Sequence, residues 1–188
     1  VVGVSGGPDS LTLAALVKNF TNEKKIKTHY VHIDHGIRKD SYKESLKVKK
    51  IHKKNKISLK ILRNNQKIER NIQGKARELR YALLSNYSKK IKAKYILTGH
   101  NSDDQIETFL IRLSRGSGVQ GLSSMRPITK LNNQIFLVRP LLDIKKQDLV
   151  YSAKKIFGKS FKDPSNRDTK YLRTRVRLIK STFEKAGI

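Results

Sequence analysis

Three polar segments in this chain combine residue types and spacings that can do chemistry. The first is Ser5-Gly6-Gly7-Pro8-Asp9-Ser10, set between an apolar run and a helix-spaced one. Paired glycines let a backbone take φ > 0 and approach a ligand closely. A helix starting there presents unpaired N–H groups and the positive end of its dipole, which together make an anion site. Ser5 and Ser10 add hydroxyl donors. Pro8 suits a first helical turn, where no N–H is needed. The segment lacks the Gly-Lys-Ser/Thr of a Walker A loop and the third glycine of a dinucleotide fingerprint. Asp9 beside a phosphate chain would repel it unless a cation intervened, so Asp9 reads as a Mg²⁺ ligand. The plainer alternative is that Asp9 merely caps or opens the helix.

The second segment is Gly99-His100-Asn101-Ser102-Asp103-Asp104-Gln105-Ile106-Glu107-Thr108. Ser102 and Gln105 have capping-box spacing, and Asp103 and Asp104 in a first turn complement a helix dipole. Asp104 and Glu107 are three apart and share a helix face. Two carboxylates on one face make a candidate cation site, for Mg²⁺ or for a lysine ammonium. Dipole complementation alone is the other reading. His100, taken by itself, reads as a hydrogen-bonded histidine at a strand end. The third segment, Asp34-His35-Gly36-Ile37-Arg38, follows another apolar run. Arg77, Arg80 and Tyr81 cluster on one side of a helix, either as phosphate or substrate contacts or as a solvated basic face.

These segments need a frame that brings them together. Strands are expected at residues 1–4, 27–33, 58–62, 95–97 and 135–138. Helices are expected at 11–20, 42–54, 73–90, 103–113 and 145–157. In the 73–90 helix, Ala76, Leu79, Ala82 and Leu83 are expected on one face. Strands separated by helix-length segments imply βαβ units and a parallel sheet. Crossovers on both faces make the fold α/β, doubly wound, with a mainly parallel five-stranded sheet. The polar segments then all follow strands, at the carboxyl ends where open α/β sheets bind ligands, near the reversal of strand order. If strands one and four are neighbours, their loops face each other across that crevice.

The bulk properties narrow the partners. At 188 residues the chain is long enough for one well-cored domain. No apolar run approaches membrane-spanning length, and no secretory signal is visible. The chain opens in mid-strand without Met, as expected of a fragment that has lost a leader. With no cysteine, these residues have no disulfide, thiolate metal site, iron–sulfur cluster or thiol chemistry. Lys+Arg 42 against Asp+Glu 15 give a net charge of +27, a field that recruits polyanions such as nucleic acid. AT-rich genome bias explains abundant Lys, Ile and Asn, but not scarce acids.

Ser-Gly-Gly-Pro-Asp-Ser resembles the SGGxDS signature of the PP-loop ATP pyrophosphatases. These enzymes cleave ATP between the α and β phosphates, adenylate a substrate oxygen and let a nucleophile displace AMP. Residues 99–108 resemble the GHxxDDxxET segment of the tRNA(Ile)-lysidine synthases within that group. His32-Ile33-Asp34-His35-Gly36-Ile37-Arg38 resembles their HVDHGLR loop, and Asn71 through Tyr81 their N-x-x-x-x-AR-x-x-RY helix. Arg112 through Met125 is similar to their R-x-x-RGSG-x-x-GL-x-x-M stretch, whose three glycines predict a mobile loop that closes over substrate. Arg139-Pro140-Leu141-Leu142 matches RPLL. Asp163-Pro164-Ser165-Asn166 with Arg173, Arg175 and Arg177 matches a DPSN…R-x-R-x-R end. The matches run in order over nearly the whole chain. Asn101 stands where a second His is common, and Thr174 interrupts the usual Arg-Asn-Arg.

The resemblance implies an ATP-dependent carbon–nitrogen ligase. It would join L-lysine to C2 of the wobble cytidine of tRNA(Ile) with a CAU anticodon, through an adenylated cytidine, so that AUA is read instead of AUG. ATP and Mg²⁺ are the implied cofactors. Ser5, Gly6, Gly7, Pro8, Asp9, Ser10, His35 and His100 are expected around the nucleotide, with Asp9 on the metal. Arg77, Arg80, Asp104, Glu107, Arg115 and Arg173 are the expected substrate-binding residues; Asp9, Arg80, Asp104 and Glu107 are the catalytic set. Residues 1–157 are expected to form the catalytic domain and 158–188 a basic segment completing it, with downstream tRNA-binding domains absent. A bacterial cytoplasmic location is expected, with an organelle matrix or plastid stroma as the alternative; a membrane partner is not expected, and a homodimer stays open. The competing readings are a PP-loop tRNA-thiolation enzyme, which needs cysteine persulfide or an iron–sulfur cluster, and a non-catalytic RNA-binding module with a relic loop.

Overall fold

The computed structural model describes residues 1–37, 40–64, 72–158 and 172–185. Its strands are β1 (Val2–Val4), β2 (Tyr30–Asp34), β3 (Leu59–Arg63), β4 (Tyr95–Leu97), β5 (Ile128–Lys130) and β6 (Phe136–Val138). Its helices are α1 (Pro8–Glu23), α2 (Ser41–Lys54), α3 (Ile72–Lys90), α4 (Ser102–Leu113), α5 (Lys146–Phe157) and α6 (Leu172–Lys185). The strands form one sheet in the order β3-β2-β1-β4-β6-β5. Every neighbouring pair is parallel except β5–β6.

The two faces follow from the strand period of two. Val2, Val4, Tyr30 and Leu59 point into a layer built by Leu13 and Ala14 of α1, Val48 of α2 and Leu149 of α5. Val31, Ile33, Ile96 and Leu137 point the other way, onto Leu84, Tyr81 and Tyr87 of α3. A parallel sheet must be covered on both faces, and this one is. The expected α/β doubly wound fold is observed, and β1 and β4 are neighbours at the point where strand order reverses.

Four details differ from expectation. The sheet has six strands among the described residues rather than five, because β5 adds an antiparallel edge to β6. Residues Ile128 and Lys130 of β5 are exposed, so this strand carries no burial pattern to read. On α3 the innermost position is Leu84, fully buried with Ser88 below it, whereas Ala82 is exposed. The buried stripe of α3 therefore runs one residue round from the expected face. The capping box at α4 uses Asn101 and Asp104, not Ser102 and Gln105. Residues 172–185, expected only as a basic segment, form α6, which packs on α4.

Helices α1, α2 and α3 each stop in the same way. Two residues past the last helical position the chain turns through a lysine with positive φ: Lys25 (52°), Lys56 (55°) and Lys92 (56°). The left-handed position after a helix is more often glycine.

Candidate active site

The first loop folds around one hydroxyl. Ser10 Oγ accepts hydrogen bonds from the backbone N–H of Ser5 and of Gly6 (3.1 Å each) and donates to Gly7 O at 3.0 Å. Gly6 has φ 88°, a value that favours glycine. Ser10 is thus the internal tie of the loop rather than a pendant donor, and it is buried. The α1 N-cap is Gly7, with no side-chain cap, and Pro8 opens the helix. Asp9 is therefore not the cap, although it does stand in the first turn of α1, where a carboxylate complements the helix dipole.

Asp9, in that first turn, stands beside the strand-order reversal. Its Oδ2 meets Lys146 Nζ at 2.5 Å, its Oδ1 is buried, and the Asn101 side chain is close enough to act on the carboxyl. Burial pushes the Asp9 carboxyl up from its usual range, while Lys146 pulls it down. Lys146 is the first residue of α5, and 137 positions separate it from Asp9. Sequence reasoning missed it, since nothing in local spacing marks one lysine among 42 basic residues.

The β4–α4 loop closes on the β1–α1 loop through Gly99. A Cβ there would lie 2.9 Å from the Asp9 carbonyl carbon and 3.1 Å from Ser10 N. Only a glycine lets the two loops touch. Asn101, 2% exposed, then caps α4: its side-chain oxygen accepts from Asp104 N at 3.2 Å, and Asp104 Oδ2 accepts from Asn101 N at 3.0 Å. Ser102 ties this loop to the third one, donating from both N and Oγ to Ile144 O. Loops after β1, β4 and β6 thus converge at the strand-order reversal.

Glu107 lies one turn further along α4 and is buried. It holds two guanidiniums from α6. Arg177 Nε donates to Oε1 at 2.6 Å and Nη2 to Oε2 at 3.3 Å, and Arg173 Nε lies 3.8 Å from Oε2. The expected acidic pair is therefore partly engaged: Asp104 in the cap, Glu107 with α6. Arg177 had been noted only as part of a motif, and its partnership with Glu107 carries no sequence signal.

The remaining expected residues divide. His100 is buried, with Nδ1 2.9 Å from Thr98 Oγ1. Burial, then Arg77, Arg80, Arg139 and Arg173, lower its pKa to about 3, so it is neutral at pH 7. Arg77 and Arg80 reach this point from α3, and both stack on Tyr81. His35 follows β2, where Gly36 N donates to Asp34 Oδ1 and Asn64 donates to His35 O. His32, from the same motif, bridges Val4 O and Ser45 Oγ inside the core. Arg115 is not brought to the crevice. It stands exposed past the C-terminal end of α4, roughly 16 Å along the helix axis from Asp104. The glycine-rich loop after it is tied back where Gln105 exchanges hydrogen bonds with the Met125 backbone. Arg38, Asn71 and Asp163 through Asn166 lie outside the described residues.

The PP-loop domain profile matches residues 1–181. The chain belongs to the PP-loop family. Among relatives of this PP-loop chain, the tRNA(Ile)-lysidine synthase of Orientia tsutsugamushi (strain Boryong) is 43% identical over 96% of the chain and 41% of the relative. That of Wolbachia pipientis wMel is 41% identical over 96% of the chain and 43% of the relative. That of Bradyrhizobium diazoefficiens is 37% identical over 95% of the chain and 50% of the relative. The chain thus spans about half the length, or less, of these curated relatives. In fold it is similar to the U34-tRNA thiolase NcsA from Methanococcus maripaludis, with a TM-score of 0.75 at 21% identity, over 98% of this chain and 66% of that one.

Proposed function

We propose that this PP-loop domain adenylates the wobble cytidine of tRNA(Ile) with a CAU anticodon and joins L-lysine to it, forming lysidine. The observation that carries the reading is the convergence of three loops at the β1–β4 reversal. It sets Asp9 of the phosphate loop against Gly99, with Asp104 of α4 close enough to act on the Asp9 charge. Relatives named tRNA(Ile)-lysidine synthase support it.

The chain's own residues suggest the division of labour. ATP phosphates lie on the α1 N-terminus, where the loop held by Ser10 is already folded. Mg²⁺, when bound, offsets charge on the phosphates. Among the described residues no cluster of three His, Cys, Asp or Glu could hold a metal. The fit is instead a single carboxylate, Asp9, with phosphates and water completing the shell, an arrangement Mg²⁺ commonly takes. Oδ1 of Asp9, buried and turned from Lys146, would be the ligand atom. Lys146 neutralises the other oxygen. The cytidine O2 attacks the α-phosphate and pyrophosphate leaves; the lysine ε-amine then attacks C2 and AMP leaves. Asp104 and Glu107 receive the lysine amine, which requires Arg177 to yield part of Glu107. His100, neutral, adds no further cation beside Arg77, Arg80, Arg139 and Arg173.

The thiolase reading is less well supported, because these residues include no cysteine to carry sulfur or a cluster. The test is incubation with ATP, labelled lysine and the tRNA(Ile) transcript, followed by nucleoside mass analysis. A lysine adduct of cytidine is expected, with pyrophosphate released stoichiometrically. RNA binding with no lysine-dependent adduct would leave the non-catalytic module as the reading.

A further inference from the structure

The crevice has a second wall that the phosphate loop does not explain. It lies on the α3 face of the sheet, across β4 from α1. Arg77, Arg80, Arg139 and Arg173 all bear on His100 there. The Arg77 and Arg80 guanidiniums stand 5.2 and 5.4 Å from the centre of the Tyr81 ring. Arg139, just past the carboxyl end of β6, is only 8% exposed. Its Nη1 donates to Arg126 O at 2.7 Å and to Thr129 Oγ1 at 2.8 Å, which fixes the guanidinium in place. Two buried donors in this wall make no hydrogen bond, Nε of Arg139 and Nε of Arg80, and the Tyr81 hydroxyl has no described partner beyond the Arg139 guanidinium, on whose charge it acts. Buried polar atoms of that kind are rare and call for a partner. Among the described residues, no carboxylate pairs with Arg77, Arg80 or Arg139; Arg173 alone has one, Glu107.

We propose that Arg139, Arg80 and Tyr81, with Arg77 beside them, form a second oxyanion pocket that grips a phosphodiester of the RNA next to the reacting base. The proposal rests on the reading that RNA is the substrate. Planar guanidiniums held in fixed orientation match phosphate oxygens. The nucleotide's own phosphates are served by the α1 N-terminus on the opposite face. An RNA base entering the crevice brings a phosphate on either side of it, so one falls against this wall. A neutral His100 lets the guanidiniums converge without a further positive charge.

The test is binding of an anticodon stem-loop RNA as a function of KCl, with ATP kinetics in parallel. Each phosphate contact adds about 0.7 to the slope of log K against log salt for single strands. Arg139→Gln is expected to lower that slope by about 0.7, to raise KM for RNA and to leave KM for ATP unchanged. Replacing one loop phosphate with a neutral methylphosphonate should remove the same increment from the parent protein and none from Arg139→Gln. Because Arg139 also braces β5 and β6, Tyr81→Phe supplies a second arm. It removes a hydroxyl whose one described partner is the Arg139 guanidinium; the melting temperature should hold, and RNA affinity should fall about tenfold. An unchanged salt slope in Arg139→Gln with full RNA affinity in Tyr81→Phe would overturn the pocket. So would a rise in KM for ATP alone, which would give these groups to the nucleotide. If the parent protein itself binds the stem-loop without salt dependence, the RNA reading falls first and this inference with it.

Discussion

Asp9 is pulled in two directions. Burial raises its pKa and Lys146 lowers it, with burial the larger effect. A carboxyl with a raised folded-state pKa binds its proton more tightly folded than unfolded. Stability therefore falls as pH rises through the interval between the two values, and above it the ionised group is a standing cost. Asp9→Asn should leave the melting temperature at pH 7 unchanged or higher, while abolishing ATP-dependent pyrophosphate release. A clear drop in melting temperature would mean that the Asp9–Lys146 pair is structural. Lys146→Met removes the group that opposes burial, so Asp9 should titrate at still higher pH. The acidic limb of kcat/KM against pH should then move upward, and a limb that stays put would separate Lys146 from the chemistry. The residue types of the site were legible because glycines, Asp9 and the 99–108 segment are dense in local spacing. The contacts of Lys146, Arg139 and Arg177 were not, because the fold sets their partners and no local spacing reveals them; Arg139 and Arg177 showed only as motif positions.

The α4–α6 contact is the element on which amine recognition turns. Glu107 is buried, while Arg177 and Arg173 keep 41% and 34% of their side-chain surface. Exposure of both cations moderates the cost of breaking the pair. Glu107→Gln should destabilise the chain by about 1–2 kcal/mol in denaturant unfolding and raise KM for lysine more than KM for ATP. Equal effects on both constants would make Glu107 an anchor for α6 and nothing more. At this scale the sequence spoke clearly where periodicity is strong. Five strands and five helices were placed within a few residues, since apolar strands alternate with amphipathic helices. Strand β5 escaped because an exposed three-residue edge needs no apolar pattern. Helix α6 escaped because its arginines read as a ligand-binding motif before they read as a helix face.

At the scale of the whole molecule, the net charge of +27 is spread over a frame whose only described convergence of loops is at the carboxyl edge of the sheet. No described helix is long and apolar enough to cross a membrane. The opposite edge holds Lys25, Lys56 and Lys92, all in the left-handed region. A side chain there costs about 1 kcal/mol that glycine avoids, partly offset by the greater freedom of glycine when unfolded. Replacing all three with glycine should add about 1–2 kcal/mol and raise the melting temperature by roughly 3–8 °C, with kcat unaltered. A lower melting temperature would show that these lysines have contacts worth more than the backbone strain. Heat tolerance and turnover would then be adjustable independently: a lineage moving to warmer surroundings could harden the base of this domain one codon at a time, with no compromise at its mouth.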